Sequence, residues 1–235
     1  MTRRAQANPR PLLNGELWPL TGQLAFIDAA ASDVVEVLAT WRLELGREPA
    51  VSAVTGSLRD LLGGLQPLGF GYRELVLPTT SRWTSYWSND FNGPDPAPLG
   101  YLAESMACRA LFLMWSPAPG QEANQFELYA DHPTSFLNIE RSVQVGRNDD
   151  GNWQFDANGD VQPFEDLTAY RSRRIVDRLT PAMIAGYAQA LGVQPFDVDF
   201  YGDAGWLVTT RDPKPDVRAT IAELQARYGY TPGVE

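Results

Sequence analysis

Nucleophilic, acid–base and metal chemistry each need particular side chains, and this sequence is short of most of them. His132 is the only histidine and Cys108 the only cysteine. A Ser-His-Asp or Cys-His arrangement would have to use His132, which lies in Asp131-His132-Pro133-Thr134, a loop by composition. Cys108 sits between Ala107 and Arg109 beside an apolar run and reads as a packed thiol. One His and one Cys cannot supply the usual ligand set of a zinc site within one chain. Two acidic clusters, Asn148-Asp149-Asp150-Gly151-Asn152 and Asp156-Ala157-Asn158-Gly159-Asp160, suggest calcium. Neither has the EF-hand register or its bidentate Glu, and both fall where hairpin turns belong. No phosphate-cradling glycine motif is present; Gly69-Phe70-Gly71-Tyr72 precedes a strand pattern rather than a helix. No metal and no cofactor is therefore expected.

What remains is carboxylates, arginines and aromatics. Asp90 and Asp95, with Glu104 beyond them, are the candidate acid–base group. Arg171, Arg174 and Arg178 fall at i, i+3 and i+7 of an expected helix, where a solvated, ion-paired face is the simpler reading. The densest mixture of bulk and polarity is Arg82-Trp83-Thr84-Ser85-Tyr86-Trp87-Ser88-Asn89-Asp90-Phe91-Asn92-Gly93-Pro94-Asp95-Pro96. Strand alternation places Trp83, Ser85 and Trp87 on one face and Arg82, Thr84, Tyr86 and Ser88 on the other. Tyr, Trp and Arg dominate protein–protein hot spots. The candidate binding residues are thus Arg82, Tyr86, Trp87, Asn89, Asp90, Asn92 and Asp95, read against the alternative of core and turn.

The elements that must position them follow from periodicity and stop signals. An arm is expected over residues 1–15, then a single domain over 16–235, with a sub-division near 117–123 as an option. Strands are expected at Leu24–Ile27, Ala50–Val54, Arg73–Leu77, from Arg82, at Arg109–Trp115 (a central strand buried on both faces), at Gln125–Tyr129 and at Gly205–Thr210. Arg141–Gly146, Asn152–Asp156 and Asp160–Phe164 form an expected meander turning at Asp150-Gly151 and Asn158-Gly159. Helices are expected after Ser32 or Asp33, after Ser57, from Pro98, over Glu165–Leu179, after Thr180-Pro181 and after Asp216. The fold class expected is α+β: a mostly antiparallel sheet flanked by helices, with a helical C-terminal third.

The net charge is −10 and the isoelectric point near 4.6. Such a field repels nucleic acid and attracts basic partners. The longest apolar run near the middle of the chain, Ala110–Trp115, is too short to cross a bilayer. With no apolar segment after Arg3 and Arg4, no membrane and a cytoplasmic location are expected. The strings Arg82-Trp83-Thr84-x-Tyr86, Asn124–Leu128, Val161–Glu165, Tyr170-x-x-Arg173-Arg174-Ile175-x-Asp177-Arg178 and Phe200-Tyr201-Gly202 resemble a family of uncharacterised bacterial proteins with no established activity. The resemblance implies a bacterial cytoplasmic protein and one cohesive unit, and transfers no functional residue. The function expected is non-enzymatic binding of a protein partner of basic charge, as in an immunity-type protein that masks a toxin. The alternative is an enzyme or small-molecule-binding protein using a cleft around Tyr86–Asp95, with Arg109 as a further member. Oligomeric state is left open.

Overall fold

The computed structural model describes residues 8–132, 134, 137–148, 150–211 and 214–233. Its strands are β1 (Gln23–Ile27), β2 (Ala50–Thr55), β3 (Arg73–Pro78), β4 (Thr84–Ser88), β5 (Ala110–Ser116), β6 (Ala123–Tyr129), β7 (Ile139–Arg147), β8 (Trp153–Gly159) and β9 (Ala204–Thr209). They form one sheet in the order β2-β9-β3-β4-β1-β5-β6-β7-β8. Every neighbouring pair is antiparallel. Among the described residues five α-helices cover it: α1 (Ala31–Glu44), α2 (Leu58–Gly63), α3 (Ala97–Met106), α4 (Pro181–Ala190) and α5 (Ile221–Arg227).

Both faces of the sheet are buried over its centre. On one face, Val34, Val35 and Leu38 of α1 and Leu99, Leu102 and Ala103 of α3 pack on Ile27, Val76, Tyr86 and Phe112. On the other, α2, α4 and α5 cover Phe26, Leu75, Trp83, Trp87, Leu111 and Phe126. This explains β5: Leu111 and Leu113 face one core while Ala110 and Phe112 face the other, so no polar alternation survives. It also explains β3 and β4, whose register pairs Val76 with Tyr86 and Leu75 with Trp87.

The expected α+β class with a helical C-terminal third is overturned: the chain is mainly β, and its short helices are spread along it. The error lies chiefly in Glu165–Leu179. There the chain makes only two 3-10 turns, Ala169–Arg171 and Ile175–Asp177. Local hydrogen bonds compete with a helix: Asp166 Oδ1 accepts from the N–H groups of Thr168 and Ala169, and Glu165 turns inward to Arg141. Arg171, Arg174 and Arg178 consequently share no helix face. Asp160–Phe164 is not a strand either. Asn158-Gly159 ends β8 instead of turning a hairpin, and a Cβ on Gly159 would lie 2.2 Å from the Glu140 carbonyl oxygen. The last helix starts at Ile221 rather than after Asp216, because Thr220 and Glu223 form a reciprocal capping box.

Of the arm expected over 1–15, residues 1–7 lie outside the described residues. Leu12–Gly15 is a 3-10 turn with Leu12 and Leu13 in the core. The 117–123 segment joins β5 to its neighbour β6, whose register runs to Ser116 opposite Ala123, so the sheet continues across it. Among the described residues no helix is long and apolar enough to cross a membrane.

Candidate functional site

The sequence stretch singled out for its aromatics is divided by the fold. Trp83 and Trp87 are buried on the α4 face, where the Trp83 indole N–H donates to the Leu191 carbonyl at 2.8 Å and Trp87 packs on Tyr201. Asn89 is also buried and structural: its Oδ1 accepts from the N–H groups of Tyr72 and Arg73, and its Nδ2 donates to the Pro67 carbonyl. Neither Trp87 nor Asn89 can therefore touch a partner at the surface. Arg82 is 73% exposed at the other end of β4, paired with Asp28 at 2.5 Å. Asn92 lines a separate hollow of about 140 Å³ beside Trp18 and Gln23. Arg109 is engaged by Glu140 and Gln162, and Glu104 accepts from the Asn138 side chain.

Tyr86, Asp90 and Asp95 do come together. They line a cleft of about 440 Å³ on the α1–α3 face. Its floor is β3 and β4, contributing Glu74, Tyr86 and Ser88; one wall is the C-terminal end of α1, with Trp41, Arg42 and Leu45. The β4–α3 loop contributes Asp90 and Asp95, and Arg47, Phe70, Gly71 and Lys214 complete the lining.

Its deepest part is a buried ionic group. Arg42 Nε and Nη2 donate to Glu74 Oε2 and Oε1 at 2.9 and 2.5 Å, and the Tyr86 hydroxyl donates to Glu74 Oε1 at 2.6 Å. Burial opposes the Arg42 charge, but the hydrogen bonds and attraction of Glu74 more than offset it and hold the guanidinium above its usual value. Burial, reinforced by the Glu74 charge, keeps Tyr86 well above the ordinary phenol range and so protonated. Arg42 keeps spare capacity: its Nη1 has no acceptor among the described residues and is open to the cleft.

Asp90 is the second group with spare hydrogen-bonding capacity. Its Oδ2 accepts from the Ser88 hydroxyl at 2.8 Å, Oδ1 has no donor, and it makes no ion pair among the described residues. Its pKa is pushed up from 3.8 to about 6, chiefly by burial and further by Asp95 and Glu74, against the Ser88 hydrogen bond and the attraction of Arg42. The backbone makes room for it. Gly71 has φ +60°, and a Cβ there would fall 2.6 Å from Asp90 Oδ2. Asp95 is exposed and accepts from the Ala97 N–H at the start of α3.

The rim mixes aromatics with cations. Trp41 stacks on Tyr101 at 4.4 Å, and the Arg42 guanidinium lies 4.4 Å from its ring centre. Phe70 meets Phe91 edge-on, and Lys214 Nζ lies 4.8 Å from the Phe70 ring centre. Among the described residues no three His, Cys, Asp or Glu side chains converge as metal ligands, Glu74, Asp90 and Asp95 included. Asp149 of the first acidic cluster lies outside the described residues; Asn148 accepts from the N–H groups of Gly151 and Asn152, as a turn requires. The Cys108 thiol is raised to about 11 by burial and by Asp28 and Asp131, so it stays protonated at neutral pH. His132 pairs with its neighbour Asp131 in an exposed loop whose Pro133 lies outside the described residues.

Sequence reading missed Arg42 and Glu74. A signal existed for both: Arg42 continues the buried α1 stripe of Val35 and Leu38, and Glu74 shares a strand face with Val76. A charge on an inward position must find a partner or line a cavity. The arrangement defines a mainly β protein with a polar, partly aromatic cleft beside its central strands. Comparison with family models, with curated proteins and with solved structures finds no match to this chain.

Proposed function

We propose that this protein binds a small organic molecule in the cleft between α1, α3 and the β3–β4 floor. One observation carries the reading: Asp90 and Arg42 both lie at the cleft with hydrogen-bonding capacity that no described residue uses. Polar groups left open in a pocket are met by ligand or water. The cleft's size suits a ligand of modest size. The test is a fragment screen by ligand-observed NMR on the wild-type protein and on Asp90→Asn. Compounds that bind the wild type and lose affinity in the variant support the reading. A screen in which every hit binds both proteins equally overturns it.

Masking of a basic protein partner is the second reading. It rests on the net charge of −10 and on the exposed side chain of Arg82, the one member of the aromatic stretch's β4 end that reaches solvent freely. A complex recovered from the native host by affinity capture, and lost with Arg82→Ala, would favour it. Capture that is indifferent to Arg82 and to ionic strength would count against it.

A further inference from the structure

We infer that the ligand of this cleft is a small zwitterion: an ammonium held by Asp90, an acid group held by Arg42 and Arg47, and an apolar body against Trp41, Leu45 and Phe70. The inference rests on the small-molecule reading and specifies the ligand class.

Three observations lead to it. First, the charges are balanced. Arg42, Arg47 and Lys214 face Glu74, Asp90 and Asp95, three cations against three anions, in a protein of net charge −10. A cleft selecting a simple cation would share the acidic excess of the whole, and one selecting an anion would have fewer carboxylates at its base. Second, the unused capacity is of both signs. Glu74 consumes two of the Arg42 nitrogens and leaves Nη1, while Ser88 consumes one oxygen of Asp90 and leaves Oδ1. Arg42 and Asp90 line the same cleft, yet they form no ion pair among the described residues. A ligand that presents an ammonium to one and an acid group to the other engages both, whereas a singly charged ligand leaves one of them to water. Third, the exposed Arg47 side chain has no partner among the described residues, and Phe70 and Leu45 are exposed apolar groups on the same rim. An acid group can be met there by Arg47 and an apolar substituent by Leu45 and the exposed part of Phe70.

Glu74 and Tyr86 are positioning residues in this scheme. The bidentate pair fixes the guanidinium plane, and the Tyr86 hydroxyl holds Glu74 in place by donating to Oε1, the oxygen that also accepts from Arg42 Nη2.

The probes are phenylalanine, phenethylamine and 3-phenylpropionate, which share a body and differ by one charged group. Isothermal titration of the full chain is expected to give phenylalanine an affinity at least about ten-fold above either relative, the worth of one charge-assisted hydrogen bond. Asp90→Asn should bring phenylalanine down to the level of 3-phenylpropionate, and Arg47→Ala should lower phenylalanine and 3-phenylpropionate but leave phenethylamine unchanged. To cover other side chains, the remaining amino acids are run as a thermal-shift panel. Phenethylamine binding as tightly as phenylalanine, and lost with Asp90→Asn, would overturn the zwitterion while leaving the small-molecule reading in place. No amino acid binding, with fragments still distinguishing wild type from Asp90→Asn, would do the same. Silence from both amino acids and fragments would overturn the two together.

Discussion

Asp90→Asn should make this protein more stable at neutral pH while removing ligand binding. The folded carboxyl keeps its proton up to about pH 6, whereas its ordinary value is 3.8. Between these values the native state binds more protons than the unfolded state, so stability falls as pH rises through that window. The stabilising contribution is complete below about pH 4 and gone above about pH 6. A rise of that size corresponds to roughly 3 kcal/mol. Asp90 is only partly enclosed, so solvent screening reduces this to about 1–2 kcal/mol. Asparagine keeps the acceptor for the Ser88 hydroxyl and carries no charge, so it removes the penalty without leaving a hole. For a chain of this length the gain is about 2–8 °C in melting temperature at pH 7.5. It should shrink to nothing near pH 4. Thermal melts of both proteins from pH 4 to pH 8 measure it directly. If the variant is less stable than wild type at pH 7.5, or if the difference does not depend on pH, Asp90 is not a charge held at a cost, and the case for a site evolved around it fails. A stabilising loss of function is the signature expected where binding requires a group that folding disfavours.

The other perturbations separate floor from surface. Arg42→Met or Glu74→Leu alone leaves an uncompensated buried charge and should cost about 3–5 kcal/mol, whereas the double variant should cost less than either, as urea unfolding would show. Double-variant losses equal to the sum of the singles would refute coupling of the pair. Trp83→Ala should cost about 3–5 kcal/mol by emptying the α4-side core, while Arg82→Ala, one residue away but exposed, should cost less than about 1 kcal/mol. Equal melts for these two variants would contradict the facing assigned to β4. Gly71→Ala should cost about 1–3 kcal/mol, since its φ of +60° is strained for alanine and its Cβ would press on Asp90, and it should weaken any ligand that Asp90→Asn also weakens. An unchanged melt and unchanged affinity would mean that the loop relaxes freely.

How much of this was legible in the sequence depends on how far apart the cooperating residues lie. The β3 and β4 strands, the two-sided burial of β5, the Asp150-Gly151 turn and the Thr180-Pro181 start of α4 are local signals, each written in a few consecutive residues, and they hold. The facing of Trp83, Trp87 and Tyr86 also followed from alternation alone. Two classes of fact were out of reach. One is competition between local and long-range partners: Glu165–Leu179 has helical periodicity, yet Glu165 is drawn to Arg141 on β7 and Asp166 folds onto its own backbone, so the helix loses to contacts no window contains. The other is strand order. Nothing near β9 announces that it inserts between β2 and β3, and so places β3 inside the sheet, where it can floor the cleft.

The cleft is assembled from the same non-local material, which is why a search for motifs could not outline it. Arg42, Phe70, Glu74, Asp90 and Lys214 reach it from separate segments of the chain. The aromatic stretch drew attention because its residues are contiguous, but contiguity on a strand sends neighbours to opposite faces. Of its bulky members only Tyr86 reaches the cleft, and it does so as a buried donor to Glu74. The more informative pattern is quieter: a charge standing in an apolar register, as Arg42 stands after Val35 and Leu38, and Glu74 two residues before Val76. Burying either residue alone would be costly, so each implies the other, and the nitrogen that their pairing leaves over opens to the cleft. Asp90, held uncharged by its surroundings until about pH 6, lines the same cleft.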